Sequence, residues 1–151
     1  MDSATLLRQY DLRQTAPRRL VLEALSCLGK PVAAGELHTW IVRNGGSVNL
    51  VTVYRTLELF EEKGITHRHP SSGNVTLCAL PNEHGHHGTV TGTVTCHGFL
   101  SCRSCGKVEE FSDPELCRQE NRIAKNAGFR VAEHLTEILG TCSSCIQMRR
   151  T

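Results

Sequence analysis

The chain has 151 residues, and its 17 Lys and Arg against 15 Asp and Glu leave a formal net charge of +2. This balance is too weak to indicate a nucleic-acid binder, so such a function must rest on a motif. No stretch approaches the run of about 20 apolar residues that a membrane span needs. The first residues lack the basic and apolar regions of a signal peptide, which predicts a cytoplasmic protein whose eight cysteines stay reduced.

Residues 1–80 are predicted to form three or four short helices followed by a hairpin. The first clear helix starts after Thr15, with a proline in its first turn, and buries a stripe at helical spacing: Val21, Ala24, Leu25 and Leu28. A shorter helix places Leu37, Trp40 and Ile41 on one face, and a third runs from about Asn49 to Lys63. Three short helices with tight connections predict a helix-turn-helix domain.

After the third helix the period of the apolar residues changes to two. Ile65 to His69 is predicted as one strand, residues 70–74 as a turn and Val75 to Cys78 as the return strand. A hairpin that directly follows a recognition helix is a wing. If the loop covers Ser71 to Asn74, His67 falls opposite Cys78 with Cβ atoms about 5 Å apart, although a one-residue slip would separate them.

The second half of the chain is predicted to be an α+β domain, reached through a linker of residues 81–95 that is rich in Gly, His and Thr. Two strands flank the segment Cys102 to Gly106, and a capping-box pattern from Ser112 to Glu115 opens a helix. That helix is expected to bury Leu116, Ile123 and Ala127, and residues 129–138 to form two further short strands. The predicted domains are thus residues 1–80 and 96–151, joined by the linker.

Two Cys-x-x-Cys pairs begin 40 residues apart, at Cys102/Cys105 and at Cys142/Cys145. A turn of two residues lets both sulfurs of a pair point at one ion about 2.3 Å away, and two pairs complete a tetrahedron. Free buried cysteines or a redox pair are the alternatives, and neither pair has the strand-helix-strand context of a redox motif. The spacing therefore predicts one structural Zn²⁺, which has no open position for catalysis.

Three segments together resemble the ferric uptake regulator family. Val51 to Leu57 with Glu62 to Gly64 is similar to the family's recognition helix, Cys102 to Asp113 to its zinc knuckle and following strand, and Thr15 to Arg18 to an early motif. The resemblance implies a winged-helix domain, a C-terminal dimerisation domain, and a homodimer that binds palindromic operator DNA when a regulatory metal is bound.

The same resemblance implies that Tyr54 and Arg55 contact DNA, with Thr52 and Arg18 as further candidates. An arginine can contact guanine bidentately, and a tyrosine can reach a phosphate or a thymine methyl group. The alternative is that these residues form the solvated face of a surface helix.

A second zinc is implied at a regulatory site. Cys78 stands where iron-type members have a carboxylate, and sulfur favours Zn²⁺ over Fe²⁺ or Mn²⁺. His67 and Glu110 match ligands of the zinc uptake regulator subgroup, and His97 matches the family's regulatory histidine, which gives the ligand set His67, Cys78, His97 and Glu110. Because residues 88–95 resemble an insertion, His84, His86 or His87 could replace His97.

The sequence departs from the iron-type pattern at two places. Pro31 stands where those members have a histidine, and the accessory site keeps His134 but has Cys117, Cys96 and Gly98 in place of the usual ligands. A third metal site formed by His134, Cys117 and Cys96 is therefore left open.

The function indicated by these residues is a zinc-responsive repressor of zinc uptake genes, with an iron- or peroxide-responsive regulator as the alternative. An enzyme is not expected, because no helix carries a His-Glu-x-x-His or comparable framework.

Overall fold

The computed structural model describes residues 2–79, 97–131 and 134–148. The chain divides into two compact units, Met1–Pro81 and Asn82–Thr151, each of which is described by itself. The predicted linker of residues 81–95 lies outside the described residues. None of the described helices has the length and apolar character needed to cross a membrane.

The first unit contains four helices and a two-stranded hairpin: α1 (Ser3–Gln9), α2 (Ala16–Leu28), α3 (Ala34–Arg43), α4 (Leu50–Glu62), β1 (Thr66–Arg68) and β2 (Val75–Leu77). The predicted helix start at Thr15 is confirmed. Helix α4 begins where it does because the Asn49 side chain accepts the Thr52 amide at 2.7 Å, which satisfies a free N–H of the first turn.

The core of the first unit is built from one face of each helix together with the hairpin. Its fully buried members include Leu7, Val21, Leu37, Ile41, Val53, Leu57, Phe60 and Val75. Burial of each such side chain contributes about 1.5–3 kcal/mol relative to exposure. Leu28 and Trp40, which were predicted to be buried, pack at the edge of the core and are only half-buried.

The hairpin forms as predicted, but its register differs by two residues. His67 pairs with Thr76, and the Cys78 amide donates to the Ile65 carbonyl at 2.9 Å. The prediction that His67 lies directly opposite Cys78 is therefore wrong. The four-residue loop begins one position earlier than expected, at Pro70, because Gly73 adopts the left-handed conformation (φ 70°) at its last position. A shift of two residues preserves the face, so His67 and Cys78 are diagonal neighbours.

The second unit combines a three-stranded sheet with two helices: β3 (His97–Cys102), β4 (Val108–Ser112), α5 (Pro114–Asn126), β5 (Leu135–Gly140) and α6 (Ser143–Met148). The strand order is β4-β3-β5, with β3 antiparallel to β4 and parallel to β5. The connection from β4 to β5 passes through α5 and begins and ends at the same edge of the sheet, because the last residue of β4 and the first of β5 both pair with His97.

Two predictions about the segment after Ser112 are wrong. The described part of residues 129–138 holds one strand, because Gly128 (φ 77°) ends the helical segment and leaves Phe129 exposed before β5 begins. The buried side of α5 carries Cys117, whereas Ile123 is 66% exposed because nothing in the described part of this unit covers it. The helix is capped by Asp113, whose side chain accepts the amides of Glu115 and Leu116.

Candidate metal centres and nucleic-acid interface

The four cysteines of the two Cys-x-x-Cys pairs form one cluster. Their sulfur atoms all lie within 4.8 Å of one another, and those of Cys105 and Cys142 are 3.7 Å apart. A tetrahedral zinc with Zn–S bonds of about 2.3 Å places its sulfurs about 3.8 Å apart. Both the donor set and its spacing therefore fit one closed zinc site.

The cluster arises because β3 and β5 run in parallel and end together. Cys102 pairs with Gly140, and the Arg103 amide donates to the Gly140 carbonyl at 2.9 Å. The first pair sits on the turn after β3, closed by the Gly106 amide donating to the Cys102 carbonyl at 2.9 Å. The second pair follows β5, with Cys145 in the first turns of α6. Neighbouring strands thus carry both halves of the cluster.

Hydrogen bonding within the cluster shifts the pKa values of two of its thiols in opposite directions. The Cys142 amide donates to the Cys102 sulfur at 3.3 Å, and this bond, with the Cys105 amide, lowers the pKa of Cys102 to about 6. Hydrogen bonds with the sulfurs of Cys142 and Cys105, together with burial, raise the pKa of Cys145 to about 12. Cys102 is therefore a thiolate near neutral pH, and Cys145 keeps its proton until a cation displaces it.

The wing of the first unit carries a second pair of candidate ligands. One ring nitrogen of His67 and the Cys78 sulfur lie within 4.8 Å of each other, and both side chains are half-buried. A single ion can bridge two donors at this separation. Tyr10, at the end of α1, lies close by: burial, and then the charge of Cys78, raise the pKa of its hydroxyl. Sequence reasoning missed Tyr10, since nothing local links it to a residue 68 positions away.

The other two predicted regulatory ligands belong to the sheet of the second unit. Glu110 is half-buried on β4 and pairs with Phe99, while the backbone of His97 pairs with Ser112. His97 and Glu110 therefore occupy diagonal positions on adjacent strands. The side chain of His97 and the alternatives His84, His86 and His87 lie outside the described residues.

Three of the four predicted DNA-contacting residues lie on α4, and the fourth lies on α2. Tyr54 is 46% exposed and Arg55 is also exposed, because Val53 and Leu57 take the buried side of the helix. Thr52 is half-buried in the first turn. Arg18 lies at the start of α2, where its guanidinium donates to the Arg13 carbonyl at 2.8 Å. Tyr54 and Arg55 are thus accessible to a partner, and Arg18 is anchored to the main chain.

The sequence profile of the ferric uptake regulator family matches residues 9–139. The chain belongs to this family. It is 33% identical over 146 residues to the ferric uptake regulation protein of Shigella flexneri, a match that covers 94% of this chain and 89% of the relative. The corresponding protein of Escherichia coli strain K12 is 32% identical with the same coverage. Members of the family are metal-responsive transcriptional regulators and not enzymes.

Solved structures confirm the predicted fold of a ferric uptake regulator family member. A zinc uptake regulator complexed with zinc and DNA has a TM-score of 0.82 at 22% identity, covering 98% of this chain and 93% of that one. Holo XcZur has a TM-score of 0.77 at 29% identity, covering 90% and 88%. The Vibrio cholerae ferric uptake regulator has a TM-score of 0.53 at 28% identity, covering 93% and 100%. The winged-helix and α/β units are thus the fold of this family.

The residues at the position of the accessory site differ from the ligand set expected for iron-type members. A Cβ atom added to Gly98 would lie 2.1 Å from the Phe111 ring, so that ring fills the space an acidic side chain would need. The Nδ1 atom of His134 lies 3.0 Å from a carboxylate oxygen of Glu120, and the Thr136 hydroxyl donates to the same carboxylate. Cys117 is buried and disulfide-bonded, so the expectation that every cysteine is reduced is wrong for it. A disulfide sulfur is not a thiolate ligand, which disfavours the third metal site.

Proposed function

We propose that this protein is a cytoplasmic, zinc-responsive transcriptional repressor of zinc uptake genes. It would bind palindromic operator DNA as a homodimer when a second zinc is bound. The observation that carries this proposal is the short distance, within 4.8 Å, between a ring nitrogen of His67 and the sulfur of Cys78 on the wing. Imidazole and thiolate together favour Zn²⁺, whereas Fe²⁺ and Mn²⁺ sites are richer in oxygen ligands.

The first zinc would be structural. Cys102, Cys105, Cys142 and Cys145 would hold it, and four protein ligands leave no position for a substrate or a water. This ion would join the ends of β3 and β5 and so stabilise the second unit. Its binding free energy would largely be folding free energy.

The second zinc would be regulatory, with the ligands His67, Cys78, His97 and Glu110. The first two belong to the DNA-binding unit and the last two to the other unit. An ion that needs donors from both units binds only the arrangements that bring them together, and it shifts the population toward those arrangements. One of His84, His86 or His87 in the place of His97 would give the same outcome.

DNA would be contacted by α4. Arg55 would bind guanine, Tyr54 a phosphate or a thymine methyl group, and Thr52 and Arg18 the backbone. Two copies of α4 in a dimer must lie about 34 Å apart to enter successive major grooves. Zinc would therefore regulate DNA binding by fixing how the two copies of α4 are presented.

Metal analysis of three proteins tests the two-zinc proposal. After dialysis against a mild chelator and reloading with Zn²⁺, we expect two zinc ions per chain for the wild type and one for Cys78→Ser. Cys27→Ser is the matched control, because Cys27 is an exposed free cysteine on α2, and it should keep two. Two ions in Cys78→Ser would show that the wing thiol is not a ligand.

An iron- or peroxide-responsive regulator is the second candidate. The relatives at 32–33% identity are ferric uptake regulation proteins, which favours it, while the thiol of Cys78 disfavours it. Anaerobic titration of Fe²⁺ and Mn²⁺ against DNA binding separates the two. The zinc proposal expects activation by Zn²⁺ at concentrations where the other ions have no effect.

A further inference from the structure

The side chain of Arg68 joins three parts of the first unit. Its Nε and Nη2 atoms bind the two carboxylate oxygens of Glu61, at 2.9 and 3.1 Å, and its Nη1 donates to the Gly73 carbonyl at 3.0 Å. Glu61 lies in the last turn of α4, Arg68 on β1 and Gly73 in the wing turn. One hydrogen bond to Glu61 and a second close charge contact hold the guanidinium group against the last turn of α4.

The backbone between α4 and the wing changes direction at a glycine, within the segment that this ion pair spans. The chain leaves α4 through Gly64, which is in the left-handed conformation with φ 70°. Two backbone hydrogen bonds follow: the Ile65 amide donates to the Phe60 carbonyl at 2.8 Å, and the Cys78 amide donates to the Ile65 carbonyl at 2.9 Å. The Glu61–Arg68 pair adds a charged side-chain contact to this path and to the packing of the shared core.

The ligand pair of the wing lies beside this connection. His67 precedes Arg68 on β1, and successive residues of a strand point to opposite faces. Arg68 contacts α4 from one face, while the other face presents His67 near Cys78. Any force that an ion applies to the wing can therefore reach α4 through Arg68.

We propose that the Glu61–Arg68 ion pair transmits zinc occupancy of the wing to the recognition helix, with Arg68 as a positioning residue that contacts neither the metal nor the DNA. This inference rests on the function proposed above. Without the pair, Ile65 and Val75 keep the wing packed in the core and His67 and Cys78 stay together. Zinc binding therefore survives, but the charged contact between the wing and the end of α4 is lost and the effect of zinc on α4 is weakened.

Three variants test the proposal in the full-length dimer: Arg68→Gln, Glu61→Gln and the charge exchange Glu61→Arg with Arg68→Glu. The DNA is a duplex selected in vitro by the zinc-loaded wild type. Zinc affinity is measured by competition with a chromogenic chelator, DNA affinity by fluorescence anisotropy with and without Zn²⁺, and folding by circular dichroism. The control is Glu36→Gln, which breaks the exposed Lys30–Glu36 pair (3.1 Å) of the same unit.

In the two single variants we expect zinc affinity within about threefold of wild type and the zinc-dependent gain in DNA affinity reduced about tenfold, within the usual range of coupling between sites. The charge exchange should restore at least part of the gain, and Glu36→Gln should leave it unchanged. If Arg68→Gln does not fold, Glu61→Gln, which leaves the arginine in place, gives the answer.

Two results would overturn the proposal. Equal weakening of DNA binding with and without Zn²⁺, not restored by the charge exchange, would make Arg68 a DNA contact. An unchanged zinc-dependent gain in both single variants would make the pair irrelevant to the coupling. Failure of the proposed function looks different: the wild type itself would then show no zinc-dependent binding, and both proposals would fall.

Discussion

The backbone amide of Cys142 donates a hydrogen bond to the sulfur of Cys102 at 3.3 Å, across 40 positions of the sequence. The bond connects the segment after β5 to the end of β3, so the second unit depends on a contact between distant parts of the chain. We expect a metal at this cluster to hold that connection. Removal of one ligand should therefore affect the whole unit and not only its end.

The first prediction concerns Cys145→Ser. Structural zinc contributes on the order of 10 kcal/mol to the folding of small domains. Loss of even a fraction of this should lower the midpoint of thermal unfolding of the second unit by more than about 10 °C. Calorimetry of the zinc-loaded variant measures the change, with Cys27→Ser as a control that should match wild type. Equal midpoints for all three proteins would exclude a structural role for the metal.

The second prediction concerns protons. Because the pKa of Cys102 is lowered to about 6, its thiol is already ionised above pH 6. Below pH 6 the thiol must release a proton to the solvent when zinc binds. Cys145, with its pKa raised to about 12, releases a proton at any moderate pH. Between about pH 8 and pH 5, the number of protons released per zinc should rise by one from Cys102. The apparent zinc affinity should therefore fall more steeply below pH 6.

Calorimetry in buffers of different protonation enthalpy counts these protons. The apo protein is titrated with Zn²⁺ under reducing conditions, using Cys78→Ser so that only the four-cysteine site is observed. A proton count that stays constant across this range would contradict the assignment of an ionised Cys102 in the apo cluster.

The third prediction concerns metal choice. Replacing Cys78 with glutamate exchanges a soft donor for the hard donor that iron-type members carry there. Since thiolate favours Zn²⁺ and carboxylate favours Mn²⁺ and Fe²⁺, the Cys78→Glu protein should need more Zn²⁺ and less Mn²⁺ to bind DNA. Titration of each ion, with DNA binding as the readout, gives the ratio of the Zn²⁺ and Mn²⁺ concentrations needed for half-maximal binding. The same preference in variant and wild type would mean that Cys78 does not select the metal.

The fourth prediction concerns DNA contact by α4. Arg55→Ala should lose about 1–3 kcal/mol of specific binding free energy, the usual cost of removing a bidentate contact to guanine. Arg43, exposed at the end of α3, offers a control of equal charge. If Arg43→Ala weakens binding as much as Arg55→Ala, the contribution of Arg55 is general charge and not base contact.

The fifth prediction concerns packing in the second unit. An alanine at Gly98 would press on the ring of Phe111 and should destabilise the unit by about 1–3 kcal/mol, the usual cost of overpacking. Gly140→Ala is the control, because nothing lies within 4 Å of a Cβ at that position. Chemical denaturation compares the two. Part of the loss should return when Phe111→Leu is added to Gly98→Ala.

Local patterns in the sequence predicted much of the fold. Helices α2, α3 and α4 follow apolar periodicity, and their ends follow capping residues such as Asn49. The wing register could not be predicted, because it depends on where in the loop the residue with the left-handed conformation stands. In the folded chain this residue is Gly73, at the last position of the loop. The buried side of α5 was misjudged, since Cys117 is buried and Ile123 is exposed.

The candidate sites divide in the same way. Cys102 with Cys105 could be recognised from spacing alone, since a two-residue turn is itself the ligand geometry. The Glu61–Arg68 pair could not be recognised in this way, although only seven positions separate its members. The backbone conformation of Gly64 between them determines whether the two side chains meet. Ligands supplied by different elements leave no trace in local spacing.

DNA binding measured against buffered free Zn²⁺, for the wild type and for Cys78→Ser, tests the central claim most directly. Both proteins should keep the zinc of the four-cysteine cluster, and a selected duplex labelled with a fluorophore reports binding. We predict that the wild type binds tightly only above a threshold of free Zn²⁺, and that Cys78→Ser stays in the weak state at every concentration. Identical zinc-dependent curves for the two proteins would contradict a sensor built on the wing thiol.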